Sequence, residues 1–186
     1  MKRILSTLLV AVMTVATVNA EMLVGGSLGM SVSTQEEQTN FSMNVLPSIG
    51  YAFSGTGWEI GTGILLGGTV AESKDSKVST FNWAVNPYAR YYFFRRNNWQ
   101  IGIHGDVVLG GVKTIDSDAM PFAWGINFMP VVTYTVKEHW VLIASCGFLG
   151  LGVNGTTYSG KTNCTFGLNV MNGGFNQIGL GFAYKF

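Results

Sequence analysis

The sequence predicts an all-β fold: an eight-stranded antiparallel up-and-down transmembrane β-barrel, with short turns at one end and longer loops at the other. Three observations predict it. The chain ends NQIGLGFAYKF, in which Ile178, Leu180, Phe182, Tyr184 and Phe186 alternate with Gln177, Gly179, Gly181, Ala183 and Lys185. That period of two belongs to a strand with one apolar face. Trp58, Trp99 and Trp140 are 41 residues apart. Finally, charged residues make up 11% of the chain, against roughly 25% in a usual soluble domain. Mean hydropathy is positive, yet beyond residue 20 no apolar run reaches the ~20 residues of a membrane helix.

The N-terminal stretch MKRILSTLLVAVMTVATVNA opens on Lys2 and Arg3, runs apolar from Ile4 to Val18 and ends on small residues. It reads as a secretory signal peptide, residues 1–20, cleaved before Glu21. A short membrane anchor is the alternative, and the apolar run is too short for one. The domain proper is then 21–186, with nine basic and ten acidic residues. Nothing in that balance suggests nucleic acid. An exported, Gly-rich, weakly charged chain without spanning helices suits a barrel in a membrane.

Each tryptophan follows a short turn, SGTG (54–57), RRNN (95–98) or KEH (137–139), and opens a strand-like run. Before each turn lies a related segment: FSMNVLPSIGYAF (41–53), FNWAVNPYARYYF (81–93) and FAWGINFMPVVTYTV (122–136). FGLNV (166–170) begins a fourth copy. Propeller blades recur at a similar length, but a blade needs four strands and each unit here holds two. The repeat is a hairpin. The strands fall at about 22–32, 41–53, 58–70, 80–94, 99–112, 122–136, 140–153 and 164–186. The connections 33–40, 71–79, 114–121 and 154–163 are polar and longer than the three turns.

Parity separates the faces. One set in strand 2 is Phe41, Met43, Val45, Pro47, Ile49, Tyr51 and Phe53; the other holds Ser42, Asn44, Ser48 and Gly50. Strands 4, 5 and 6 divide the same way, with Asn82, Asn86, Arg90, His104, Asp106 and Asn127 in the polar sets. Strand 7 is apolar on both faces, so its parity is open. The charges inside strands are Glu59, Arg90, Asp106 and Lys185, and all four share the polar parity. An outward Lys or Arg at mid-bilayer costs about 2–4 kcal/mol. In a soluble sandwich or a secreted ligand-binding barrel, the polar set would face water and carry many charges. Here it is mostly Gly, Ala, Ser and Asn, which suits a narrow, filled interior. Phe41 to Tyr51 spans about 25 Å at ~3.3 Å per residue and a tilt near 40°. Aromatic girdles are expected at both edges of that band. Phe41, Phe81, Trp83, Phe122, Trp124 and Phe166 form the outer one. Tyr51, Trp58, Tyr91, Trp99, Tyr134, Tyr184 and Phe186 form the other, with Trp140 by position. Pro47, Pro87 and Pro130 interrupt strands and each predicts a bulge or a broken ladder.

The alternating Leu180, Phe182, Tyr184 and terminal Phe186 resemble the C-terminal recognition signal of bacterial outer-membrane barrels. With the leader and the four-hairpin repeat, the chain resembles the small eight-stranded outer-membrane β-barrel family, the porin-like group. The resemblance implies location in the outer membrane, turns in the periplasm and loops outside the cell. It also implies contact with outer-membrane lipid, and with periplasmic chaperones and the barrel-assembly machinery during biogenesis. It is weak for activity, because the family includes structural proteins, adhesins, narrow pores and lipid-modifying enzymes.

Candidate chemistry is sparse. Glu59, Arg90, His104 and Asp106 share the lumen face, and the RRNN turn brings Arg90 within reach of residues near 103. They form either an ion-pair network that fills the barrel or a charged constriction for small solutes; buried charges are normally paired. His104 and His139 are the only histidines and neither sits as a hydrolase base near the outer leaflet, so no enzyme, cofactor or metal site is expected. Cys146 and Cys164 are an even pair in an oxidising compartment, but pairing them would leave the end of strand 8 hanging, so two free thiols are expected. Asn172-Gly173-Gly174 predicts a kink in strand 8, with the preceding part projecting beside strand 7 as an edge for strand addition. The reading favours a structural or surface-interaction barrel with a filled lumen; a narrow porin-like channel is the alternative.

Overall fold

A computed structural model describes residues 20–35, 38–74, 76–115, 120–146, 149–168 and 178–186. Residues 1–19 of the expected leader and the Asn172–Gly174 kink lie outside them. Ten strand segments follow in order: β1 (Ala20–Gln35), β2 (Gln38–Phe53), β3 (Trp58–Ser73), β4 (Ser76–Arg96), β5 (Trp99–Thr114), β6 (Phe122–Thr135), β7 (Trp140–Cys146), β8 (Leu151–Tyr158), β9 (Lys161–Leu168) and β10 (Ile178–Lys185). Each of β1 to β6 is one stave of a barrel. β7 and β8 lie end to end along the seventh stave, since both pair with β6. β9 and β10 share the eighth, pairing with β8 and β7 respectively. β10 also pairs with β1 and closes the ring. The result is a closed eight-stranded antiparallel barrel. Among the described residues no helix is long and apolar enough to cross a membrane.

The short turns are set by local chemistry. In SGTG the chain turns left-handed at Gly55 (φ 82°) and Gly57 (φ 80°), where a Cβ would be strained. Thr56 fastens the turn, donating from Oγ1 to the Phe53 carbonyl (2.9 Å) and accepting from the Trp58 amide (3.1 Å). The 41-residue repeat is the register between one short-turn hairpin and the next made visible. Trp58 pairs with Tyr91, Trp99 with Tyr134 and Trp140 with Tyr184. Their rings meet at 4.9, 4.6 and 5.2 Å.

Strand bounds differ from the expectation at the other end. The polar stretches 33–40, 71–79 and 154–163 are largely strand: β1 runs to Gln35 and β2 starts at Gln38, β3 runs to Ser73 and β4 starts at Ser76, and β8 runs to Tyr158 and β9 starts at Lys161. The greater length at this end is carried by hairpins that project past the outer aromatics. A polar composition there marks strands that have left the apolar band, where side chains no longer face lipid but the ladder continues.

Each of the three prolines coincides with a ladder break. Beside β3, pairing skips Leu46 and Pro47; beside β5 it skips Asn86 and Pro87. At Pro87 the missing donor is replaced: the Asn86 side-chain amide donates to the carbonyl of Val107 (3.1 Å), the residue opposite the proline. At Pro130 the register changes. On β6 pairing passes from Val131, opposite Ser145 of β7, to Phe128, opposite Leu151 of β8, so Met129 and Pro130 fall between the two ladders. A further bulge falls at Phe93, which leaves both Phe93 and Phe94 exposed.

The faces sort as parity requires. Val45, Ile49, Ile64, Leu66, Val85, Ile103 and Phe182 are exposed on the outside. Leu23, Ala84, Tyr92, Val131 and Ala183 are buried on the inside with Glu59, Asn86, Asp106 and Thr133. The seventh stave, undecided from sequence, turns Trp140 and Leu142 outward, opposite Tyr184 and Phe182.

Candidate functional site

The interior of β3, β4 and β5 holds the charged cluster. Glu59 is opposite Arg90, and Arg90 is opposite His104. Asp106 follows two residues along β5 on the same face. Arg90 donates from Nη1 to Glu59 Oε1 (2.7 Å) and from Nε to His104 Nδ1 (3.0 Å). The other ring nitrogen, Nε2, lies 3.1 Å from Asp106 Oδ2. An arginine can only donate, so Nδ1 is an acceptor and the proton sits on Nε2, which donates to Asp106.

Three residues of inward parity that were not singled out, and Asn154 from a stretch expected as loop, complete the cluster. Tyr88 and Tyr92 donate to the two oxygens of Glu59, at 3.1 and 2.9 Å. Asn127 donates to Asp106 Oδ1 (2.9 Å), and Asn154 donates to Asn127 Oδ1 (3.0 Å). The Arg90 guanidinium also lies 4.5 Å from the centre of the Tyr88 ring, and that ring stacks on His104 at 5.4 Å. A continuous chain therefore runs Glu59–Arg90–His104–Asp106–Asn127–Asn154 across five strands. Its carboxylates are buried, Glu59 4% exposed and Asp106 8%, and Arg90 is largely covered. Such groups are costly unless paired.

Glycines make room for these side chains. Tyr88 lies over the Gly50–Gly61 pair, where an added Cβ would come within 2.5 Å of its ring or hydroxyl. Asn44 lies over Gly67, Asn127 over Gly152 and Asn154 over Gly125, each asparagine directly opposite its glycine. The signal that finds the asparagines is the inward Asn of the repeat, at 44, 82, 86 and 127.

Two cavities lie on either side of the cluster. One, of about 270 Å³, is at the turn end, between Glu59, Tyr92, Arg95, Gln100, Thr133 and Lys185. The other, of about 170 Å³, is bordered by Ser27, Ser48, Arg90, His104, Asp106 and Ser145. The Glu59–Arg90 pair stands between them. At the turn-end rim Lys185 pairs with Glu21 (3.0 Å).

The terminal segment is bound on both sides. The Lys185 amide donates to the His139 carbonyl, and the Phe186 amide to Met22. His139 donates from Nδ1 to the Lys185 carbonyl (2.9 Å). Tyr184 contacts Trp140, His139 and Phe186, while Leu180 and Phe182 point outward. Tyr51, Trp58, Tyr91 and Trp99 are exposed at the same end. Cys146 and Cys164 are both free, one in β7 and one in β9.

No protein-family model matches the chain, and no curated protein matches. Solved structures do. Neisserial surface protein A is 16% identical with a TM-score of 0.49, over 90% of this chain and 96% of that one. The outer membrane protein Ail of Yersinia pestis is 13% identical with a TM-score of 0.37, over 90% and 99%. The translocator domain of the autotransporter NalP from Neisseria meningitidis is 10% identical with a TM-score of 0.37, over 100% and 96%. The closed ladder, the apolar outer face and the polar, charge-paired interior make this chain an eight-stranded transmembrane β-barrel.

Proposed function

We propose that the chain is an outer-membrane barrel with a structural or surface-interaction role and a lumen filled by side chains. The observation that carries this reading is the side-chain network from Glu59 to Asn154, which runs along the inner wall from β3 to β8 with its carboxylates buried and its charges holding one another. The leader, residues 1–20, would deliver the chain to the periplasm. Chaperones there and the barrel-assembly machinery would receive it through Leu180, Phe182, Tyr184 and Phe186. Turns would then face the periplasm and the projecting hairpins the outside. The β8–β9 hairpin is the favoured contact surface. Phe166 on it is 71% exposed, and among the described residues β9 pairs with β8 alone, which suits strand addition by a partner. Catalysis has little support, because both ring nitrogens of His104 are engaged and His139 is held by a backbone carbonyl.

A narrow pore is the second reading, favoured by the two cavities separated by the Glu59–Arg90 pair. Conductance of the refolded mature chain in a planar bilayer separates the two, with folding checked by a heat-dependent gel shift. The filled-lumen reading expects folded protein without discrete channels. Reproducible channels that change in Arg90→Ala would replace it with the pore.

A further inference from the structure

The outer wall of the barrel keeps charge off its apolar band but carries it at the loop-end edge, on one side. Among the described strand residues, the charges that face outward at that end are Glu72, Lys77 and Lys113, on β3, β4 and β5. Glu72 and Lys77 are directly opposite each other. Lys113 is opposite Phe81 instead, an exposed aromatic of the outer face. Directly paired residues share a face, so the Lys113 side chain leaves the wall beside that ring. Lys113 is exposed, and among the described residues no carboxylate pairs with it.

A second donor is held against the same strip. Two residues below Lys113, Gly111 is flanked by Trp83 on β4 and Phe122 on β6. With no side chain at 111, the Trp83 indole lies over β5: a Cβ there would be 3.0 Å from its Nε1 and 2.9 Å from Met120 Cε. Trp83 is exposed, and its N–H has no hydrogen-bond partner among the described residues. Two residues on one face of a strand are about 7 Å apart, and a lysine stem bends toward the membrane interface. The ammonium and the indole N–H therefore reach one small anion together.

Height along the wall selects the anion. Phe81 lies at the outer edge of the apolar band, where lipid headgroups begin. Below the two donors the wall is apolar, with Leu109 and Val85 paired and exposed. Donors at headgroup level above an apolar strip match a phosphate that carries acyl chains; a free anion would leave the strip unused.

We propose that Lys113 and Trp83 form a site for the phosphate of one anionic membrane lipid, whose acyl chain lies over Leu109 and Val85. The site is on the outside of the barrel, so it does not depend on what fills the lumen.

The test is native mass spectrometry of the refolded mature chain in detergent, titrated with dioleoylphosphatidic acid, dioleoylphosphatidylcholine or inorganic phosphate. Phosphatidylcholine carries its own cation beside the phosphate and serves as the neutral reference. The expected result is a first phosphatidic acid bound about tenfold more tightly than the first phosphatidylcholine. Lys113→Gln should abolish that preference. Trp83→Phe should weaken the first phosphatidic acid by about threefold, and Lys77→Gln should leave it unchanged. The heat-dependent gel shift checks that each variant is folded. If Lys113→Gln does not fold, the comparison of the two lipids on the unmodified chain decides alone. Equal affinities for the two lipids overturn the proposal, as does a preference that survives in Lys113→Gln. An equal loss in Lys77→Gln overturns it too, assigning the preference to diffuse surface charge. Displacement of the lipid by inorganic phosphate at equal concentration overturns it in favour of a free-anion site.

Discussion

Arg90 is the hinge of the interior: it holds Glu59, engages His104 and lies over the Tyr88 ring. Removing it strands a buried carboxylate, so Arg90→Met is expected to destabilise the barrel by about 3–5 kcal/mol in urea unfolding from vesicles. Glu59→Gln combined with Arg90→Met should recover much of that loss, because no charge is then left alone. Gly61→Val drives a side chain into the place of the Tyr88 ring. Its expected cost is about 1–3 kcal/mol, measured the same way. Much at this scale was legible from parity, which put Glu59, Arg90, His104 and Asp106 on one face before any pairing was known. The contacts of Tyr88, Asn127 and Asn154 were not. Where such a side chain lies depends on a glycine in the neighbouring strand, and single-strand alternation says nothing about that neighbour.

The prolines act on strands. Pro87 removes a ladder donor, and the Asn86 side chain supplies one to Val107. Asn86→Ala should therefore cost about 1–3 kcal/mol, the price of an unsatisfied buried carbonyl. In a Pro87→Ala background, where a backbone amide returns, the same substitution should cost clearly less. A double-mutant cycle by urea unfolding checks this. If the two costs are equal, the amide is not standing in for the proline's missing donor. Element types and hairpin register were readable from the tryptophan spacing, since each Trp faces a Tyr across a hairpin or its neighbour. Strand ends were not. Stretches such as STQEEQTN have the composition of loops, and only backbone pairing reveals that β1 and β2 continue through most of it.

At the scale of the whole molecule, the outer face is the constraint. Val85 is exposed within the apolar band between Phe81 and Tyr91. Val85→Arg is expected to lower stability by about 2–4 kcal/mol in a lipid bilayer and to have a much smaller effect in short-chain detergent. The heat-dependent gel shift after refolding into vesicles measures it. A cost of the same size in both would mean that this face is not reading lipid. Closure was foreseeable from eight strands of matched length. The division of the last two staves was not, because the register change at Pro130 arises between strands and leaves only a lone proline in the sequence. The asparagines lying over glycines carry a consequence for how such a molecule can change over generations. Gly67, Gly125 and Gly152 let carboxamides fold down onto the wall. A methyl group at any of them would meet its asparagine first, with one carbonyl of the neighbouring strand at 3.2–3.4 Å, and would leave the turns and the lipid face untouched. Bore size is then separable from scaffold, and a lineage can move between a sealed and an open interior through single codon changes at glycine.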